Sequence, residues 1–144
     1  MDLVALLSGS SLFEMLSNAE LEAVSALLEP RAFSVGSVIF SEGAPGDGLY
    51  VVAAGEVEIR REGRTAPLAV LGPGECFGEM SLVDHEYRSA SVRALGDVEL
   101  LHLSPERLAQ VRKSQKDGFS FLVLNIARLL STRLREANAQ LARR

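Results

Sequence analysis

The sequence predicts a mainly β domain with helices at both ends, and three observations carry that prediction. Between Arg31 and Ser104, short β-branched and apolar runs are broken by glycines at roughly every tenth residue, the texture of an antiparallel sandwich, jelly roll or barrel. A capping box stands ahead of this span, and a Ser-Pro helix start stands behind it. At 144 residues and 47% hydrophobic, the chain fits one domain with its own core.

In "SNAELEAVSALLEP", Ser17 with Glu20 three residues later starts a helix that carries Leu21, Val24, Leu27 and Leu28 on one face. Pro30 is expected to end it. The preceding "SLFEML" adds a short apolar turn on the same core. The opening "MDLVALLSGSSLF" has an acid at Asp2 and only a short apolar run, so it is no signal peptide. No segment has the length of a membrane span, and a cytoplasmic protein is expected.

The runs "AFSVGSVIFSEG", "GLYVVAAG", "EVEIRREG", "TAPLAVLGPG", "ASVRALG" and "VELLHLS" predict seven or eight strands. Gly36, Gly43, Gly55, Gly63, Gly72, Gly74 and Gly96 mark the corners between them, where positive φ or close backbone approach is expected. After the strands, Ser104 as N-cap and Pro105 at the first helical position start "SPERLAQVRKS". A last helix is predicted after Asp117, over a stretch from Phe119 onward without glycine or proline. Val123, Ala127, Leu130, Leu134, Ala137 and Leu141 repeat along it as a heptad-like seam, with Leu122, Ile126 and Leu129 as a second stripe. Two apolar neighbours are implied, the helix's own domain and a partner; one broad face on a single core is the alternative.

Charge is unevenly spread. Residues 1–104 hold 16 acids against 6 bases, a balance of −10, and residues 105–144 hold 3 against 9, a balance of +6. The acidic body argues against a nucleic-acid-binding domain, whose affinity rests on neutralised phosphates. The basic tail reads as a solvated face or as a match for an acidic surface. Cys76 is the only cysteine, which excludes an internal disulfide and a cysteine-based metal cluster. It reads as a small buried apolar residue.

One segment carries chemistry. "GEMSLVDHEYRSASV", Gly78 to Val92, fits a helical turn at Glu79 to Val83, a loop at Asp84 to Tyr87 and a strand from Ser89. A turn starting after Gly78 offers free N–H groups to an anion, Arg88 adds a guanidinium fork and Ser89 a hydroxyl. Glu79 would repel a bare phosphate but would accept hydrogen bonds from hydroxyls on the same ligand, so the combination suits a sugar phosphate. Alternatively, Glu79 and Arg88 form an exposed corner ion pair worth about 0–1 kcal/mol.

Extended by one residue, the segment "FGEMSLVDHEYRSASV", Phe77 to Val92, resembles the phosphate-binding cassette of the cyclic-nucleotide-binding domain family, Phe-Gly-Glu-(Leu/Met)-(Ala/Ser)-Leu, a variable tip, then Arg-(Ser/Ala/Thr)-Ala-(Ser/Thr)-Val. That family is shared by the catabolite activator protein, the regulatory subunits of protein kinase A and nucleotide-gated channels. The flanking "LFEMLSNAELEAVSALLEPRAFSVGSVIFSEGAPGDGLYVVAAGEVEI" is similar to its entry helix and first strands, and the two closing helices follow in family order.

The resemblance implies an antiparallel β-roll, a jelly-roll-like double-stranded β-helix, with an N-terminal helical bundle and two C-terminal helices. The parts would be residues 1–30 (helices), 31–104 (roll, with the cassette at 77–92) and 105–144 (closing helices) of one domain, 1–144. It further implies a ligand, cAMP or cGMP, whose ribose 2′-hydroxyl meets Glu79 and whose phosphate meets Arg88. Gly78, Met80, Ser81, Ser89 and Ala90 would complete the cradle. Val57, Ala69 and Leu71 fall at the family's apolar walls, and Arg128, Ser131, Thr132 and Arg133 are polar candidates to cover the base. Ser89 does not decide between the two bases.

The expected function is a cyclic nucleotide sensor whose last helix moves on binding, docking a second copy or an effector. No DNA-binding domain and no membrane segment is read from this chain, so the output is expected on another chain or through a partner. A dimerisation module that binds no nucleotide, and a sensor of another small ligand, are the alternatives. A cupin-type enzyme is not expected, because its paired histidines and glutamate are missing; His85 and His102 stand apart. No metal and no cofactor is expected.

Overall fold

The computed structural model describes residues 2–83 and 87–143. Asp84 to Glu86, most of the expected loop, lie outside the described residues, and His85 with them.

Eight strands are described: β1 (Glu29–Phe33), β2 (Val38–Phe40), β3 (Leu49–Ala54), β4 (Val57–Arg60), β5 (Ala69–Leu71), β6 (Cys76–Phe77), β7 (Ser91–Ala94) and β8 (Val98–Leu103). They form two four-stranded antiparallel sheets, ordered β1-β8-β3-β6 and β2-β7-β4-β5. The chain crosses between sheets at nearly every connection, and only the β4–β5 hairpin stays within one, which makes the structure a roll.

Period-2 alternation explains the two cores. On β3, Leu49, Val51 and Ala53 face the helices, while Tyr50 and Val52 face the second sheet. On β8, Leu101 and Leu103 face the helices, while Val98 and Leu100 point between the sheets. Both strands are central and covered on both faces, hence their nearly unbroken apolar sequences.

The helices are α1 (Leu3–Ser8), α2 (Asn18–Ser25), α3 (Met80–Val83), α4 (Pro105–Ser114) and α5 (Lys116–Ala142), with a 3₁₀ turn at Ser11–Phe13 between the first two. The short α1 went unpredicted; Asp2 caps it by accepting from the Ala5 N–H. On α2, both hydrogen bonds of the capping box between Ser17 and Glu20 are present. It ends at Ser25, however, and Pro30 does not terminate it: Pro30 lies inside β1. β1 is an edge strand, where a missing N–H is tolerated. Ser104 caps α4, with Pro105 in its first turn. The expected corners at Gly36, Gly43, Gly55, Gly63 and Gly74 have positive φ, whereas Gly72 and Gly96 do not.

α5 starts earlier than its sequence pattern and takes in Gly118, where a Cβ would lie 3.0 Å from the Glu20 carboxylate. Its first half is bolted to the N-terminal helices. Leu122 and Ile126 enter their core, and buried Asn125 donates to the carbonyls of Leu12 (2.9 Å) and Glu14 (2.8 Å). Of the seam, Leu130 is half-buried, and Val123, Ala127, Leu134, Ala137 and Leu141 are exposed. No helix among the described residues is long and apolar enough to cross a membrane.

Candidate functional site

Gly78 to Ser81 and Tyr87 to Ala90, with Val92, form one wall of a cavity between the second sheet and the far half of α5. Gly78 has φ +80°, and a Cβ on it would stand 2.7 Å from Arg88 Nη1 and 3.1 Å from the Gly48 carbonyl oxygen. Only glycine lets the chain turn here with the guanidinium packed against it.

Arg88 is 6% exposed, and its neighbours fix its orientation. Nη2 donates to Asp47 Oδ1 and to the Gly48 carbonyl, both at 2.8 Å, and Nη1 donates to the Gly78 carbonyl (3.2 Å) and to Ser81 Oγ (3.1 Å). The ring of Phe40 lies 4.0 Å from its Cζ, a cation–π contact on one face of the plane. Ser81 Oγ also accepts from the Gly48 N–H at 2.9 Å, tying the loop before β3 to α3. The Ser81 N–H is itself used on the Gly78 carbonyl, at 3.3 Å.

Glu79 is 2% exposed, and it pairs not with Arg88 but with Arg133 of α5, whose Nη1 donates to Glu79 Oε1. Arg133 Nη2 donates to the Cys76 carbonyl at 2.8 Å. The expected alternative of an exposed Glu79–Arg88 corner pair is therefore not what forms: both side chains are buried, and each has a different partner.

Two buried polar side-chain atoms among the described residues have no hydrogen-bond partner, Glu79 Oε2 and Arg88 Nε. Burying such groups unpaired costs about 1–3 kcal/mol each, more for charged ones. Both residues line the same cavity, of about 1110 Å³.

Of the residues singled out from the sequence, Gly78, Glu79, Met80, Ser81, Arg88, Ser89, Ala90, Ala69, Leu71 and Arg133 line this cavity, as does Thr132. Val57, Arg128 and Ser131 do not line it. Val57 is fully buried between the sheets, where it pairs with Leu71 and Ala94, deeper than the cavity. Arg128 is exposed, and Ser131 Oγ accepts from Arg135.

The family profile described as "Cyclic nucleotide-binding domain" matches residues 30–115. The chain belongs to the cyclic nucleotide-binding domain family. It is 42% identical over 139 residues to the cyclic AMP receptor protein of Thermus thermophilus, a match covering 94% of this chain and 62% of that protein. To the cGMP-dependent protein kinase egl-4 of Caenorhabditis briggsae it is 36% identical over 79% of this chain and 16% of the kinase. The crystal structure of the Thermus thermophilus catabolite activator protein superposes with a TM-score of 0.81 and 41% identity, covering 92% of this chain and 62% of that one. The chain thus spans about three-fifths of the length of the first of these relatives.

In this member of the family, several residues that shape the cavity were not assigned to it from the sequence. Asp47 and Gly48 hold Arg88 from a loop 40 or 41 positions away, and no periodicity links them to it. Leu129, Leu134, Ala137 and Leu141 of α5 bring an apolar wall, and Arg61 and Arg64 reach the rim from the β4–β5 hairpin.

The surroundings also set protonation. Burial pushes the Cys76 thiol up to about 12, and Glu79 adds to it, so the cysteine stays a thiol. The Tyr50 hydroxyl is raised above its ordinary 10.0, by burial first and then by Asp47. His102 is lowered from 6.5, by burial first and then by Arg31, so it is neutral at pH 7. No group of three or more His, Cys, Asp or Glu stands close enough to hold a metal ion among the described residues.

Proposed function

We propose that this chain is a cyclic nucleotide sensor, with residues 1–144 acting as one binding domain and no catalytic role. The phosphate of cAMP or cGMP docks at Arg88, with Gly78, Ser89 and Ala90 around it, and the ribose 2′-hydroxyl donates to Glu79. The observation that carries this reading is the pair of buried, partnerless atoms on two residues that line one cavity, Glu79 Oε2 and Arg88 Nε. One is an acceptor suited to a hydroxyl and the other a donor suited to an anion. Similarity to both a cyclic AMP receptor protein and a cGMP-dependent protein kinase supports the ligand class and leaves the base open.

The same site gives the last helix a reason to respond. Glu79 Oε1 is held by Arg133 of α5, so the sugar-binding carboxylate and the helix position share one ion pair. Ligand that fixes Glu79 fixes the point where Arg133 lands, and the helix settles over the cavity with Leu134 and Leu141. Switching requires that the ligand bind the closed arrangement better than the open one; the population shifts only by that difference. Val123 and Ala127, the exposed seam residues that do not line the cavity, favour a second copy of the chain, or an effector, as the reader of that movement.

Calorimetry with cAMP and with cGMP tests the reading. Binding of at least one, weakened by roughly 1.5–3 kcal/mol in Arg88→Ala, is expected. No heat from either at roughly 100 μM, where a micromolar site is nearly saturated, overturns it.

A further inference from the structure

His102 does not line the cavity, yet it is fixed to the loop that holds Arg88. The residue, second from the end of β8, is 3% exposed, and its ring packs against Tyr50 with centroids 4.7 Å apart. Nε2 lies 3.0 Å from the Asp47 carbonyl oxygen, an acceptor only, so the neutral ring carries its proton on Nε2 and donates it there. The same nitrogen is 3.7 Å from Asp47 Oδ1. That oxygen and the next carbonyl, of Gly48, both accept from Arg88 Nη2. The loop has no slack, since Gly48 has φ +127° and a Cβ there would lie 2.2 Å from the Leu103 carbonyl oxygen and 2.9 Å from His102 Nε2.

We propose that His102 is a positioning residue for Arg88, acting through the Asp47–Gly48 peptide, and that its protonation raises the affinity of the cavity for an anionic ligand. The inference rests on the reading that Arg88 takes the ligand's phosphate.

The charged and titratable groups around the ring are Glu29 and Arg31 of β1, Asp47 of the loop, Tyr50 of β3 and, one contact further, Arg88. Desolvation and Arg31 keep the imidazole neutral at pH 7. A proton on Nδ1 puts a second cation 3.7 Å from the Asp47 carboxylate, in competition with Arg88. As Asp47 turns towards the imidazolium, Arg88 Nη2 is released for a phosphate oxygen, and the added charge attracts the same phosphate. Both effects have one sign. By reciprocity, a bound anion eases protonation of His102 by the same factor.

The test is calorimetry with cAMP at pH 7.5 and pH 5.0 on the wild type, His102→Gln and His102→Leu. The wild type is expected to gain roughly fivefold or more in affinity at the lower pH. His102→Leu, which leaves the Asp47 carbonyl without its donor, loses affinity at pH 7.5. His102→Gln, whose amide reaches the same carbonyl and does not titrate, restores most of that loss but none of the gain at pH 5.0. A wild type without the gain, or a glutamine variant that keeps it, overturns the proposal.

A second arm needs no nucleotide. In a His85→Gln background, NMR follows the one remaining imidazole through its titration. Arg88→Gln is expected to raise its pKa by removing a cation and freeing Asp47, and Asp47→Asn to lower it. A midpoint unmoved in both variants overturns the coupling. Failure of the wild type to bind cAMP or cGMP at either pH removes instead the ligand assignment, and leaves the NMR result to decide the link between His102 and Arg88.

Discussion

Replacing Arg133 with alanine removes the only partner of the Glu79 carboxylate among the described residues and leaves that buried charge with neither oxygen paired there. Two bonds are lost. A fully buried charge-assisted hydrogen bond is worth about 1.5–3 kcal/mol, but the Arg133 side chain is 35% exposed, and solvent screening brings its ion pair down to about 1 kcal/mol. The bond from Nη2 to the Cys76 carbonyl adds about 1 kcal/mol. A total of about 2 kcal/mol lowers Tm by about 4–8 °C in a domain of this size. Thermal unfolding of Arg133→Ala, Glu79→Gln and the double variant measures it, with a coupling energy of about 1 kcal/mol expected between the two sites. The double variant should be no less stable than Arg133→Ala alone, because the orphaned charge is gone. A Tm shift within about 1 °C, together with a coupling below about 0.3 kcal/mol, refutes the account of α5 as pinned through Glu79.

Gly78→Ala is expected to lose about 1–3 kcal/mol in urea unfolding, from positive φ plus the collision with Arg88. Gly63→Ala, with a similar φ of +83° and open space around it, should lose only the backbone part; equal losses would mean that the Arg88 contact is unimportant. Cys76, with its thiol pushed up to about 12, should react with a disulfide reagent at pH 8 no faster than the chain unfolds, and rapid stoichiometric labelling of native protein contradicts its burial. His102 has a folded pKa below 6.5, so the unfolded chain takes up the proton first; the stability His102 contributes is present above 6.5 and falls as pH drops through and below it. His102→Gln should flatten that part of the stability–pH curve, and an unchanged slope places its origin elsewhere.

Local features were legible in the sequence because their causes are local. The Ser17–Glu20 box, the Ser104 cap and five of the seven glycine corners depend on residues within a few positions of one another, and they form as expected. Pro30 misled for an instructive reason: proline is excluded from central strands and tolerated at an edge, and only the sheet order reveals that β1 is the edge. The wall assignment of Val57 shows a similar limit. Alternation says that it points between the sheets, but not how far the cavity extends, and the neighbouring Leu71 reaches the cavity while Val57 does not.

By itself, the sequence determined the order of helices and strands apart from α1, the family, and the segment in which a carboxylate and an arginine stand together with small residues. Tertiary structure decided which partners those two charges have. Asp47 holds Arg88 from 41 residues away, and Arg133 holds Glu79 from 54 residues away. The physical reason is one of range. Caps, turns and alternation act over a few residues and leave a periodic trace, whereas a buried ion pair is fixed by which surfaces the roll and the last helix bring face to face.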